Sequence, residues 1–293
     1  MINRKLYTGF IISTLIIFGI LFYWKNISVS NKGLIFSDIE QPNVIKPKGV
    51  DQDETILPVI WGNLGAQMVT DGVIDAKKFE AVYQSQGGLS SEEKSILYGS
   101  KNEYLKINSQ DSGFILNVLW ALGLGNKNEI LDKGQMTDVR YGGAENFAST
   151  AGWTISNGEA MQHYSRHVFV ALTSEQQNLV YSVAKNIYRP CCGNNTCFPD
   201  CNHGMAMLGL LEIMASQGVS ENDMYKYALK VNEFWFPNNY ATIDSYLKTK
   251  GFSLATADPR EILSINYSSQ MGYQNIVKQM APVINRNIGS CGV

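Results

Sequence analysis

Four of the five cysteines, Cys191, Cys192, Cys197 and Cys201, fall within eleven residues, and His203 follows two positions later. The segment RPCCGNNTCFPDCNHGMAM is rich in Gly, Asn and Pro and runs into an apolar stretch. Soft thiolates beside an imidazole are ligands for zinc(II), copper(I) or another thiophilic ion. Met205, Met207 and Met214 lie just downstream, and thioethers would tilt the choice toward copper. The spacing matches neither the C-x2-C pairs of zinc modules nor a c-type haem attachment sequence, and it lacks the common iron–sulfur runs.

The same cysteines can instead form two disulfides that pin an irregular loop, the ordinary use of clustered cysteines in an exported domain. A bridge between the adjacent Cys191 and Cys192 would strain the peptide between them. The expected pairing therefore joins one of them to Cys197 and the other to Cys201. Cys291, near the C-terminus, is an odd thiol that could resolve a disulfide or hand over a metal.

The other two histidines, His163 and His167, are four apart on a segment whose spacing predicts a helix. On that helix His167 falls within the stripe of Ala160, Met161, Tyr164, Val168 and Ala171, and His163 lies at its edge. Two inward imidazoles one turn apart can chelate an ion. The candidate ligand set is thus Cys191, Cys192, Cys197, Cys201, His203, His163 and His167. Asp200, Glu212, Glu159 and Arg166 are candidate supporting or acid–base groups. Tyr164 stands where the H-E-x-x-H protease motif requires Glu. No phosphate loop, nucleophile elbow or dinucleotide signature is present, and no nucleophile is visibly paired with a histidine base. The motifs therefore assign no catalytic reaction.

These groups are expected on a mainly α chain, a single N-terminal transmembrane helix followed by an all-α globular domain with a Cys-rich loop. Capping patterns recur at Asp75, at Ser90 with Glu93, at Thr173 with Gln176, at Ser220, and at Asp258 before Pro259. They precede apolar residues at helical spacing, and no run of alternating strands is evident. Helices are expected from Asp75 through Gln86, from Asp111 or Ser112 to near Gly123, from Asn157 past Val168, from Thr173 to Pro190, and over 203–217. The Gly-, Asn- and Thr-rich region 126–154 reads as a long ordered loop.

Leu6 to Trp24 is a 19-residue stretch without a charge, framed by Arg4, Lys5 and Lys25. At a rise of about 1.5 Å per residue it suffices to span a bilayer core of roughly 30 Å. The apolar run exceeds a signal-peptide core and no A-x-A-like cleavage site follows, so an uncleaved signal-anchor is expected over 1–25. Residues 26–54 read as a flexible tether and 55–293 as a helical globular domain with its Cys/His loop at 190–203. A short head before the span and a large domain after it suggest that the domain lies on the extracytoplasmic side, where disulfides are tolerated.

The chain has 293 residues, a formal net charge of -2 and 17% charged residues, with no basic run to attract nucleic acid. The expectation is a membrane-tethered extracytoplasmic protein that binds copper or zinc, or performs thiol exchange, through its Cys/His cluster. Its partners would be the membrane and a metal donor, metal acceptor or redox partner. The alternative is a disulfide-stabilised surface module with a peptide, glycan or protein bound in an aromatic groove near 126–154.

Overall fold

The computed structural model describes residues 54–280. The anchor expected over 1–25, the tether up to residue 53 and Cys291 lie outside them. Among the described residues no helix is long and apolar enough to cross a membrane.

The described chain is mainly helical. It opens with β1 (Thr55–Gly62), α1 (Leu64–Thr70), α2 (Ala76–Tyr83), α3 (Ser91–Tyr98) and β2 (Lys101–Ile107). The long α4 (Ser112–Gly125) leads into the short α5 (Glu129–Lys133), α6 (Ala148–Ala151) and α7 (Ala160–His163). Then come α8 (Ser174–Ala184), α9 (Asn202–Ser216), α10 (Glu221–Trp235) and α11 (Pro237–Thr249). The described part closes with α12 (Pro259–Ile262), α13 (Ile265–Ser268) and α14 (Gln270–Met280).

Helices α4 and α9 form the centre. Both are apolar nearly all round, the pattern of a helix buried on every side, and every α9 residue from Gly204 to Ala215 is buried. They touch backbone to backbone where glycines meet. A Cβ on Gly123 would stand 2.0 Å from the Met205 carbonyl oxygen, and one on Gly209 would stand 2.4 Å from that of Leu119. Gly123 therefore lies inside α4, which runs two residues past the expected stop.

The capping signals hold. Asp75 accepts N–H bonds from Lys77 and Lys78, and the Ser90/Glu93 and Thr173/Gln176 boxes are both closed. Ser220 and Asp258 cap α10 and α12. Helix α8 ends at Ala184, before Pro190, because the chain turns there to admit Thr196, whose N–H reaches the carbonyls of Ala184 and Ile187.

Two expectations are corrected. First, the structure contains strands: β1 pairs antiparallel with β2, with Thr55 opposite Ile107 and Gly62 opposite Lys101. Leu57, Val59 and Trp61 are buried while Ile56 and Ile60 are exposed. The alternation is hidden in the sequence because apolar residues occupy both faces. One of the two register shifts, between Ile56 and Ile60, spans Pro58, which lacks a ladder donor. On the other edge, Gln217 mimics a strand: its amide accepts from Ile60 N–H and donates to Ile60 C=O, both at 2.8 Å.

Second, the helix expected from Asn157 past Val168 is one turn, α7. Ser165 adopts a left-handed conformation (φ 53°) and Val168 is exposed. The chain beyond runs extended along the end of α4. Ser165 N–H bonds the Leu124 carbonyl at 2.8 Å, and His167 N–H bonds that of Gly125 at 2.9 Å. These are carbonyls that a helix end leaves without intrahelical partners, and satisfying them outweighs local helix propensity.

Candidate functional site: a cysteine cluster around a buried arginine

The loop between α8 and α9 is organised by Arg189, which is only 1% exposed. Its Nη1 donates to the Asn194 carbonyl at 3.2 Å, and its Nη2 to the Phe198 carbonyl at 3.2 Å and to Asp200 Oδ1 at 2.7 Å. Its Nε donates to Cys201 Sγ at 3.0 Å. Asn194 Nδ2 in turn donates to Asp200 Oδ2 at 2.9 Å, which fixes the carboxylate. One planar fork thus ties the loop's successive turns together. The missing side chain of Gly204 makes room for it, since a Cβ there would lie 2.4 Å from Nη2.

Cys201 is the N-cap of α9, and its sulfur accepts the Gly204 N–H at 3.4 Å. Cys191 Sγ stands 3.7 Å from Cys201 Sγ, and a His203 ring nitrogen lies within 4.8 Å of the same sulfur. The neighbouring Cys191, Cys192 and His203 side chains, with the Arg189 charge beside them, hold the Cys201 thiol below its ordinary value. Cys191 is driven the other way by its bonds to Cys192 and Cys201. At Cys192 the bond to Cys191 lowers the value, but Cys201 and burial outweigh it and push it up to about 11. At Arg189, burial opposes the charge and the anionic Cys201 restores it. The Cys201 sulfur therefore sits between a guanidinium and a helix N-terminus, an environment that favours its thiolate, with the Cys191 and Cys192 thiols beside it.

Of the seven expected ligands, the loop brings four together. Donor atoms of Cys191, Cys201 and His203 all lie within 4.8 Å of one another, and so do those of Cys192, Asp200 and Cys201. Cys197 stands apart: its sulfur faces the Tyr181 carbonyl at 3.5 Å, and burial raises its thiol to about 12. All four described cysteines are free, so no disulfide pins this loop. Met205, Met207 and Met214 are buried in the core.

His163 and His167 do meet, through the turn at Ser165 rather than along a helix. His163 Nδ1 lies 3.1 Å from His167 Nε2, His163 Nε2 bonds the Asn157 carbonyl at 2.8 Å, and His167 Nδ1 is 3.6 Å from Asp71. Among the described residues they join no cluster of three close metal-capable donors.

His203 packs against aromatic rings, with centroids 4.4 Å from Phe236 and 5.7 Å from Trp235. On the loop's other side Phe198 packs against Tyr141 and Phe147, each at 5.2 Å, and Ser149 N–H bonds the Asp200 carbonyl. Part of the 126–154 region is therefore the wall of the cysteine loop.

Arg189 is the residue that motif reading missed. Its signal is that Asn186 to Pro199 holds no other charge, so a lone cation stands among cysteines. Glu212 is a second surprise. It is fully buried in α9, its Oε1 accepts from Asn128 Nδ2 at 2.5 Å, and burial raises its carboxyl well above the ordinary value. No family model, curated protein or solved structure matches this chain.

Proposed function

We propose that Cys191, Cys201 and His203 bind a thiophilic divalent ion of the zinc type, and that the protein captures or hands on that ion outside the cytoplasm, held to the membrane by its N-terminal segment. The observation that carries this reading is the 3.7 Å between the two sulfurs. Two thiolates each about 2.3 Å from one tetrahedral zinc stand about 3.8 Å apart, so little rearrangement is required.

Charge supports the same ion. With both thiols ionised, Cys191, Cys201 and Asp200 carry three negative charges against the one positive charge of Arg189, and a divalent ion closes the balance. The burial of all three methionines in the core lends no support of its own to copper(I). Three protein ligands leave a tetrahedral position open, which suits an ion that must arrive and leave.

The test is elemental analysis of the reduced full-length chain after zinc loading and removal of unbound ion. About one equivalent is expected, lost in Cys191→Ser and in Cys201→Ser and kept in Cys197→Ser. Retention in Cys201→Ser, or no bound ion in the reduced protein, would overturn the assignment. Stoichiometric copper taken up in preference to zinc would refute the divalent identity.

A further inference from the structure

We propose that Cys191 and Cys201 are also a reversible dithiol–disulfide pair that exchanges with small disulfides of the glutathione class. The pair needs no ion, so this inference goes beyond the metal reading while drawing on the same two sulfurs. At 3.7 Å the sulfurs are in contact without being bonded, and a disulfide requires about 2.05 Å. Cys191 is exposed, so the pair opens to solvent. Cys201 receives N–H bonds from Arg189 and Gly204 at the start of a 15-residue helix, contacts that favour an anionic sulfur.

The choice of partner is geometric. Cys192 turns its sulfur toward oxygens, 3.8 Å from both the Asn194 carbonyl and Asp200 Oδ1. Cys197 faces Tyr181 across the loop. Cys191 stands in direct sulfur–sulfur contact with Cys201 at 3.7 Å, whereas the Cys192 sulfur, also within 4.8 Å of that of Cys201, is engaged by the Asn194 and Asp200 oxygens.

In the first step the Cys201 thiolate attacks one sulfur of RS–SR. That bond breaks, RS⁻ departs, and Cys201 becomes a mixed disulfide. Cys191 then gives its proton to solvent or to the departed thiolate and attacks the Cys201 sulfur, displacing the second RS⁻. The protein loses two electrons and the small disulfide gains them, becoming two thiols; excess thiol drives the steps backward. Where the ion reading also holds, closure consumes two of the three ligands, so oxidation would release the ion.

The experiment uses the reduced full-length chain, stripped with a chelator and equilibrated in glutathione buffers graded from reduced to oxidised. Samples are quenched in acid, alkylated, and mapped by mass spectrometry. An intramolecular link between Cys191 and Cys201 should accumulate and revert with thiol. Cys191→Ser should abolish it and leave glutathione on Cys201, while Cys192→Ser should keep it. A link that survives Cys191→Ser, a link to Cys197 in its place, or no intramolecular link at all would reject the proposal. The two readings fail separately. His203→Gln should lose zinc and keep the link, and a wild-type chain that binds zinc but forms no link sinks the exchange proposal alone.

Discussion

Arg189 holds the loop by four hydrogen bonds in four directions. Lysine cannot reproduce that fork, because its ammonium is a compact charge on a flexible stem. Arg189→Lys should therefore expose the cluster and Arg189→Met should leave Asp200 without its cation. The second change should cost about 3–5 kcal/mol, the usual range for breaking a buried pair, read from urea denaturation. Glu212 gives a pH signature. Its folded carboxyl keeps its proton well above the unfolded value of about 4.3. Its stabilising effect is therefore complete below that pH and is lost as pH rises toward the folded value, at up to about 1.4 kcal/mol per pH unit. Glu212→Gln has no proton to lose, so denaturation midpoints compared from pH 5 to pH 8 should show a flatter slope for the variant. At this scale the sequence placed all four loop cysteines and His203 together because they are neighbours in the chain, and Cys197, expected among them, turns instead to the Tyr181 carbonyl. A loop's internal facing depends on what it wraps, and the arginine it wraps carries no motif.

The crossing of α4 and α9 leaves no room for a single methyl group. Gly123→Ala would drive a Cβ onto the Met205 carbonyl, whereas a Cβ on Gly113, in the same α4, meets nothing within 4 Å. The first should destabilise by about 1–3 kcal/mol or more through overpacking. The second should stabilise by up to about 1 kcal/mol through helix propensity. Thermal melts of the two variants separate backbone contact from propensity, and similar effects of both would contradict the crossing described here. Helices with caps and one apolar face were legible at this scale, as Thr173 and Ser220 illustrate. Elements whose form is decided by a distant partner were not: β1 needs β2 and Gln217 to be a strand, and residues 165–170 abandon a helical pattern for the end of α4. Gly123 is the instructive case, since the residue that looks like a helix stop is the point of closest helix approach.

Across the whole molecule, the cysteine loop is joined to segments far away in sequence. Gln270 N–H bonds the Cys192 carbonyl, Tyr188 N–H bonds that of Leu263, and Ser149 N–H bonds that of Asp200. An ion held in the loop should consequently stabilise the entire fold and not the loop alone. Zinc present at a hundred times its dissociation constant would add about 2.7 kcal/mol. A chelator should lower the thermal midpoint of the reduced, zinc-loaded chain, and Cys201→Ser should be indifferent to it. An equal chelator effect in that variant would place the responsive ion elsewhere.

The edge-on meeting of His203 and Trp235 gives the molecule an optical gauge of its own site. The indole lies close enough to the imidazole, 5.7 Å between centroids, for its emission to respond to whatever occupies that ring. Zinc, which is closed-shell, should shift the tryptophan spectrum while largely preserving its intensity. A paramagnetic ion that thiolates do not reduce, such as cobalt(II), bound at the same nitrogen should darken it, so the Trp235 share of the emission follows occupancy and ion type together without a label.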